Sequence, residues 1–412
     1  MDKYFGSLVY LRRVLLLALV LAGRAAEGQT ETEMLASDGA SSSFLGKSTA
    51  ASGSVVVASA HHDSETFLNS GAAYVFRKSG TTWIETKLKA SDAAQQDYFG
   101  ASVALDGNVL VVGSPNRNDG ATTDAGAAYV FRWNGSSWVQ EQLLLAPDRA
   151  YLDFFGGSVS ISGDTILVGA YNANNNGFVD GYGAAYAFHW NGSRWNHEAT
   201  LLAPDGAPAD RFGWSVSISG DVAVVGAVWD DDGGLNSGSA YAFRRTGSTW
   251  NSGVKLPRTD AVSNDSFGWS VSLYSDLALV GVYQDDDTGL NFGSTYVYRL
   301  NGSSWVLETK LYGADSAQND KFGFSVCAGD NLALIGAPNA GRTDYGSPDG
   351  EGAAYIFRKV GSSWTQDQKL VASDAASWDQ FGTSVSLFGE DFVVGAHQHS
   401  HSTYYARRGL CF

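Results

Sequence analysis

Short runs of alternating and continuous apolar residues, separated by glycine-containing turns, repeat along most of this chain. In the copy that begins at Phe155, "GSVSIS" alternates, "TILVGA" is continuously apolar, and "GAAYAFHW" and "RWNHEATLLA" follow. Alternation is typical of a strand with one buried face, and a short continuous apolar run is typical of a strand buried on both faces. The intervening "SGD" and "NGS" favour tight hairpins, since Asn and Gly readily take positive φ values. Each copy therefore predicts four consecutive strands, A to D.

A recurring Phe-Gly pair marks the beginning of strand A in each copy, with Leu-Gly in the first. Successive copies are 54 to 59 residues apart, a period typical of a four-stranded propeller blade. The sequence therefore predicts an all-β protein, a seven-bladed β-propeller of four-stranded blades. The glycines of these pairs are Gly46, Gly100, Gly156, Gly213, Gly268, Gly323 and Gly382.

The two ends of the chain predict how this ring closes. The last copy has strand A, strand B and "STYYARRG" as strand C, whereas "TETEMLASD", from Thr30, matches strand D of other copies, such as "ETKLKASD" at Glu85. We expect the N-terminal strand to complete the C-terminal blade, which leaves no exposed sheet edge. Ala406 replaces the Phe that stands at Phe243 in an earlier copy, so we expect this blade to be the least protected.

Residues 1–26 predict a secretory signal peptide. Arg12 and Arg13 precede an apolar run, and small residues around Gly23 to Ala26 resemble a cleavage site. The run is shorter than the ~20 residues that span a bilayer, and an uncleaved anchor is the alternative. Residues 27–412 are then one propeller domain of a secreted or extracellular protein. Its two cysteines, Cys327 and Cys411, do not form a disulfide scaffold, and their spacing leaves pairing open.

Charge narrows the range of partners. The net charge of −16 argues against nucleic acid and is compatible with cations or basic partners. No G-x-S-x-G elbow, H-E-x-x-H motif or phosphate loop is present, so no catalytic residue is assigned.

Three repeated motifs resemble the FG-GAP repeat family, the unit of the integrin α-subunit propeller. They are the Phe-Gly pair, the "VGA" or "IGAP" that closes strand B, as at Val225 and Ile335, and "GAAYVF" or "GSAYAF" in strand C, as at Gly126 and Gly238. The resemblance covers the chain from about Thr30 and implies a propeller that works in adhesion or recognition. The family's D-x-D-x-D-G calcium loops do not carry over, because the A–B turns here are too short.

The B–C and D–A loops are long and polar, and in a radial propeller they share one face. We expect a ligand there, because loops on a rigid scaffold commonly carry function. Trp214 and Trp269, which follow Phe-Gly, and Trp229, beside an acidic loop, are candidate ligand contacts. The leading hypothesis is a non-enzymatic recognition or adhesion protein for an extracellular protein or glycan. The alternatives are a carbohydrate-binding lectin and a hydrolase or lyase at the channel mouth.

Two groups of loop residues suggest metal ions. Three successive aspartates in each of two B–C loops could ligate Ca²⁺, although they lack alternating D-x-D spacing and could instead cap their own turns. Histidines in the B–C loops of blades one and seven, neighbours in a closed ring, could bind Zn²⁺ or Cu²⁺ or be solvated. The residues are Asp230, Asp231, Asp232, Asp285, Asp286 and Asp287 for calcium, and His61, His62, His397, His399 and His401 for a transition metal.

Two further sets of residues repeat with the blades. An Asp two residues before each Phe-Gly could bind metal, but its repetition favours hydrogen bonds to backbone amides of the D–A loop. N-x-S/T sequons predict glycosylation in a eukaryotic secretory pathway, although three of them coincide with the "NGS" hairpin. The aspartates are Asp97, Asp153, Asp210, Asp265, Asp320 and Asp379, and the sequons stand at Asn134, Asn191, Asn264 and Asn301.

Overall fold

A computed structural model describes residues 21–22, 32–39, 43–173, 181–341, 350–389, 391–401 and 406–408. Over these residues the protein is all β, and no helix there is long and apolar enough to cross a membrane. The strands are β1 (Leu21–Ala22), β2 (Thr49–Ser52), β3 (Val55–Ala60), β4 (Ala72–Ser79), β5 (Thr82–Leu88), β6 (Ser102–Asp106), β7 (Val109–Ser114), β8 (Ala127–Trp133), β9 (Trp138–Leu144), β10 (Phe155–Ser162), β11 (Thr165–Ala170), β12 (Ala184–Trp190), β13 (Trp195–Leu201), β14 (Phe212–Ser219), β15 (Val222–Ala227), β16 (Ser239–Thr246), β17 (Thr249–Trp250), β18 (Val254–Lys255), β19 (Ser270–Tyr274), β20 (Leu277–Val282), β21 (Ser294–Asn301), β22 (Ser304–Leu311), β23 (Ser325–Gly329), β24 (Leu332–Ala337), β25 (Ala353–Val360), β26 (Ser363–Leu370), β27 (Phe381–Phe388), β28 (Asp391–Ala396), β29 (His399–His401) and β30 (Ala406–Arg408).

Six antiparallel sheets follow one another along the chain, each with its strands in the order A, B, C, D. Sheets one to three are β2–β5, β6–β9 and β10–β13, and sheets five and six are β19–β22 and β23–β26. In sheet four, β14–β18, the outer strand is split into β17 and β18, which both pair with β16. The predicted β-propeller is therefore confirmed, with six complete blades in the described residues.

Sheet seven differs from the prediction. Its β27 and β28 pair as strands A and B, but β1 lies on the other side of β28, with Leu21 opposite Phe392. The predicted strand C was wrong in its partner, because β30 pairs with β29. Ala406 lacks the ring that Phe243 buries, which removes an apolar anchor from this strand. Apart from Leu21 and Ala22, the predicted signal peptide lies outside the described residues.

The hydrophobic core lies between neighbouring sheets. One cluster, for example, joins Val111 and Val130 of sheet two to Phe155 and Val168 of sheet three. The Phe of each Phe-Gly pair is fully buried, and in sheets two to six its ring meets aromatic rings of strand C, as Phe155 does with Tyr186 at 5.5 Å. Each repeat motif thus encodes a contact that holds a blade to itself or to its neighbour.

A serine-to-glycine hydrogen bond links successive sheets near the axis. Ser158 Oγ, for example, donates to the carbonyl oxygen of Gly213, 2.9 Å away. A Cβ on Gly169, in strand B beside Ser158, would lie 2.0 Å from that same oxygen, so only glycine fits there. The bonds are Ser102 to Gly156, Ser158 to Gly213, Ser215 to Gly268, Ser270 to Gly323, Ser325 to Gly382 and Ser384 to Gly46.

The segment 32–39 packs between sheet one and sheet seven without forming a regular strand in these residues. Met34 and Ala36 are buried in one cluster with Tyr74 of sheet one and Val393 of sheet seven. Tyr74 donates a 2.7 Å hydrogen bond to Asp38, as Tyr129 does to Asp92 at the end of the preceding strand D. Asp38 therefore occupies the position that strand D of a preceding blade supplies elsewhere.

Candidate ligand site at the mouth of the central channel

Residues from the inner strands of sheets one to seven line one common opening, which we call the central channel. Each sheet contributes the three residues that follow its Phe-Gly or Leu-Gly pair. These residues are 47–49, 101–103, 157–159, 214–216, 269–271, 324–326 and 383–385.

A cavity of about 450 Å³ opens at one mouth of this channel, on the face of the B–C and D–A loops. That volume lies within the range of small-molecule sites, about 300–1,000 Å³. Its walls are residues that follow Phe-Gly, residues that follow strand B, and one D–A loop residue. They are Lys47, His61, His62, Tyr98, Ala101, Pro115, Asn116, Gly157, Tyr171, Trp214, Trp269 and Phe324.

Half-buried aromatic rings form a continuous arc along one side of this mouth. The Trp214 and Trp269 rings are 5.0 Å apart, centre to centre, and tilted by 43°. Tyr171 extends the arc from Trp214 at 5.1 Å, and Phe324 extends it from Trp269 at 5.4 Å. The candidate ligand contacts Trp214 and Trp269 thus lie at the centre of the arc. We call Tyr171, Trp214, Trp269 and Phe324 the aromatic arc.

Trp229, the third candidate contact, lies at the rim of the site. It does not line the cavity, and 39% of its surface is exposed. The Arg211 guanidinium lies 4.7 Å from the Trp229 ring and 5.6 Å from the Tyr171 ring, so it bridges the rim to the arc. Such cation–π contacts hold the rings in place at modest energy.

Histidines and a lysine form the other side of the mouth. His61 and His62 are 4.3 Å apart, and Phe44 lies 5.7 Å from His61 and 5.6 Å from His397. Phe44 therefore contacts one ring from each of the two histidine loops, His61 and His397. Nδ1 of His397 is 2.9 Å from Thr383 Oγ1, which ties this ring to its own sheet. The side chains of His399 and His401 lie outside what the structure describes.

Burial controls the charge of this polar side. Burial, with the nearby His62 and Lys47, lowers the pKa of His61 to about 3, so this ring is neutral at pH 7. Its Nδ1 is buried without a hydrogen-bond partner in the described part of the chain. Burial also lowers the pKa of Lys47. The mouth therefore holds polar groups that lack a hydrogen-bond or ion-pair partner among the described residues.

The two acidic B–C loops are organised around lysines. Lys310 of strand β22 binds Asp285 at 2.6 Å and Asp287 at 2.5 Å, and Lys255 of β18 binds Asp230 and Asp232 in the same way. A calcium ion in either loop would have to displace this ammonium group.

The middle aspartates of these loops cap their own turns. Asp231 accepts a hydrogen bond from the Asn236 amide at 2.7 Å, and Asp286 accepts one from the Asn291 amide. Within the described ranges, no group of three or more His, Cys, Asp and Glu side chains is arranged to hold a metal ion. The calcium and transition-metal assignments remain predictions.

The aspartates before Phe-Gly have the backbone contacts that their repetition predicts. Asp97, for example, accepts a 2.7 Å hydrogen bond from the amide of Ala94 and is almost fully buried. Burial, opposed by the backbone hydrogen bond, raises the pKa of Asp153 and of Asp210 to about 6. The same backbone contact is made by Asp97, Asp153, Asp210, Asp265, Asp320 and Asp379.

The sequons lie at the surface. Asn134 and Asn191 are exposed, and their side-chain oxygens accept amide hydrogen bonds within their own hairpin turns. Asn301 is exposed at a hairpin turn, and Asn264 is exposed in a D–A loop with a φ of 70°. All four positions are accessible to modification.

Sequence reasoning missed Lys47, Tyr98, Tyr171 and Phe324 as parts of the mouth. A sequence pattern that indicates part of the mouth is the residue after each Phe-Gly or Leu-Gly pair. This residue varies between copies, whereas its neighbours repeat. Lys47, Ala101, Gly157, Trp214, Trp269, Phe324 and Thr383 occupy this position.

Comparison with known proteins agrees with the repeat motifs. A search of curated proteins finds no match. The model of the FG-GAP repeat matches residues 29–76, 83–131, 138–188, 195–243, 250–298, 305–357 and 364–406. These seven matches span most of the chain and include the strands that surround the channel. The chain therefore belongs to the FG-GAP repeat family.

Proposed function

We propose that the chain forms a closed ring of seven blades, with the N-terminal segment completing the last one. The Ser384–Gly46 bond joins sheet seven to sheet one at 2.8 Å, just as Ser325–Gly382 joins sheet six to sheet seven. If the ring is closed, Ser384→Ala and Ser325→Ala lower the free energy of unfolding equally, by about 1 kcal/mol each. In an open ring Ser384→Ala has no effect, which urea denaturation distinguishes.

We further propose that this is a secreted, non-enzymatic recognition protein whose ligand binds at the channel mouth. The observation that carries this proposal is the aromatic arc, whose half-buried rings border a cavity on the loop face. Aromatic rings supply large contact areas and are enriched in binding hot spots. Secretion, expected from residues 1–26, is tested by N-terminal sequencing of protein collected from the medium of expressing cells.

The test is a binding screen of the full-length protein against arrayed glycans and purified extracellular-matrix proteins. We expect Trp214→Ala together with Trp269→Ala to abolish the strongest binding. Ala101 and Gly157 hold the same position in sheets two and three, so the blade accepts a small side chain there.

Tyr274→Ala is the matched control for this screen. Tyr274 is 48% exposed and lies at an A–B turn, on the opposite face. Its substitution leaves binding unchanged. Binding that tolerates the double variant but is lost in Tyr274→Ala would refute the proposed site.

An enzyme is the second candidate, because Lys47, His61 and His62 form a polar group that is not repeated around the ring. None of the described residues that line the cavity is a carboxylic acid that could act as a partner for these bases. Turnover of a bound glycan or ester by the parent protein, lost in His62→Ala with binding retained, would favour the enzyme. Binding without turnover supports recognition.

A further inference from the structure

The surroundings of Lys47 differ from those of three lysines in the outer strands of sheets one, four and five. Lys87, Lys255 and Lys310 each bind several carboxylates at 3.1 Å or less. Lys47 is half-buried in the wall of the cavity and makes no ion pair with any residue that the structure describes. A cation held away from water without a counter-ion is costly, so an anion bound beside it would be favoured.

The aromatic arc lies across the mouth from this cation. Trp214 and Trp269 belong to sheets four and five, which are opposite sheet one in the order of the ring. Their rings are tilted by 43° to each other, and Tyr171 and Trp214 by 56°. These rings form a curved wall. A planar nucleobase stacks best between parallel rings. A curved aromatic wall instead fits the C–H face of a puckered sugar ring.

Polar groups between the cation and the arc can bind hydroxyl groups. Asn116 and Tyr98 line the cavity, and both can donate and accept hydrogen bonds. His61 presents a buried Nδ1 that no described residue satisfies. The cavity of about 450 Å³ is large enough for a small sugar ligand.

We propose that the channel mouth binds an acidic saccharide, whose carboxylate pairs with Lys47 and whose ring packs on Trp214 and Trp269. This assignment rests on the proposed function and names the ligand class of that same site. The protein carries a net charge of −16, so its overall field repels anions. Affinity for an acidic sugar therefore depends on the local contact with Lys47.

The experiment measures binding of a galacturonic acid tetrasaccharide to the full-length protein by calorimetry and tryptophan fluorescence. A galactose tetrasaccharide is the neutral comparison. We expect the acidic probe to bind at least tenfold more tightly, and Lys47→Gln to weaken it by about tenfold without changing the neutral probe. Trp269→Ala weakens both probes.

Lys78→Gln is the matched control, because Lys78 is exposed at the end of β4, outside the cavity. Thermal unfolding of every variant verifies that it is folded. Equal binding of the two probes, or an acidic probe that Lys47→Gln does not weaken, would overturn the acidic ligand and leave the proposed site intact. If the protein binds only an acidic peptide or a nucleotide, and Trp269→Ala still weakens that binding, the acidic saccharide is likewise overturned and the proposed site stands. Probe binding that is insensitive to both Trp269→Ala and Lys47→Gln would instead overturn the proposed function.

Discussion

The acidic loops and the channel mouth both contain charged side chains, but only the loops compensate those charges themselves. In sheet five, Asp285 is 2% exposed and receives both the Lys310 ammonium and a hydrogen bond from Ser294. At the mouth, Lys47 has no such partner among the described residues, and His61 Nδ1 is unsatisfied there. The comparison shows that the two acidic loops use their charges within the fold, whereas the mouth leaves polar groups without a partner among the described residues.

The largest expected effect on stability comes from removing the lysine that neutralises an acidic loop. Lys310→Met leaves the buried Asp285 carboxylate without its cation, so we expect a loss of about 3 kcal/mol in the free energy of unfolding. Lys369→Met is the control, because its partner Asp315 is 52% exposed, and we expect a loss below about 1 kcal/mol. Urea denaturation followed by tryptophan fluorescence measures both. Adding Asp285→Asn to Lys310→Met recovers most of the loss; if it does not, the uncompensated charge is not the cause.

A second effect concerns a buried acid in the D–A loop before sheet three. Burial raises the pKa of Asp153 to about 6, above its unfolded value near 3.8. The native state therefore holds this proton more tightly, and the associated stability is full below pH 4 and lost as pH rises through 6. Asp153→Asn removes that loss, so at pH 8 we expect the variant to exceed the parent by roughly 2 kcal/mol, with no difference at pH 4.

The control for this pH profile has the opposite sign. Burial would raise the pKa of Asp260, but hydrogen bonds from Tyr296 and Lys310 and the charge of Lys310 lower it to about 2. Its stability is present above about pH 4 and lost as pH falls towards 2. Asp260→Asn is therefore less stable than the parent at pH 7, and the difference shrinks at acid pH. Parallel profiles for the two variants would contradict both assignments.

Calcium tests the same comparison at a smaller scale. With Lys310 in place, we expect midpoints of thermal unfolding in Ca²⁺ and in EDTA to agree within about 1 °C, because Lys310 and Lys255 already neutralise the carboxylates of the two acidic loops. In Lys310→Met the carboxylates of Asp260, Asp285 and Asp287 become available to an oxygen-seeking ion, and Ca²⁺ raises the midpoint by a few degrees. A rise in the parent protein would show that calcium binds beside the lysines.

The smallest expected effect is that of Lys47→Gln on stability. Because no ion pair of Lys47 exists in the described structure and its charge is costly to bury, we expect its replacement to lower the free energy of unfolding by no more than about 0.5 kcal/mol. The same denaturation assay measures it beside Lys310→Met. A loss as large as that of Lys310→Met would mean that Lys47 is paired in the folded protein, and the contrast between the two regions would fail.

Features that depend on short repeated patterns could be predicted from the sequence. The strands of sheet three begin and end within two residues of their predicted bounds, and Asp97 contacts the backbone that its repetition indicates. The position of Asp38 beside sheet one could be predicted, because "LASD" resembles the end of strand D in other copies. These elements need only local pairing and a motif of a few residues.

Contacts that join distant elements could not be predicted in this way. Lys310 meets Asp285 and Asp260, which lie in two different loops 25 and 50 residues earlier, and in strand D it resembles any polar surface residue. The sequence does contain a pattern that indicates these ion pairs. Asp63, Asp230 and Asp285 each occur together with a lysine in strand D of the same sheet. The partners are Lys87, Lys255 and Lys310. The residues that line the mouth could be identified only from the three-dimensional order of the sheets.

The residue after each Phe-Gly pair has a consequence for how this protein can diversify. It stands between a glycine with positive φ and a serine that bonds to the next sheet, as Trp214 does between Gly213 and Ser215. Those neighbours are constrained by the scaffold, whereas the middle position holds side chains as different as Gly157 and Trp214. One substitution there alters the chemistry of the opening and spares the interfaces between sheets. Selection, natural or in the laboratory, can therefore change the side chains that line the opening one at a time.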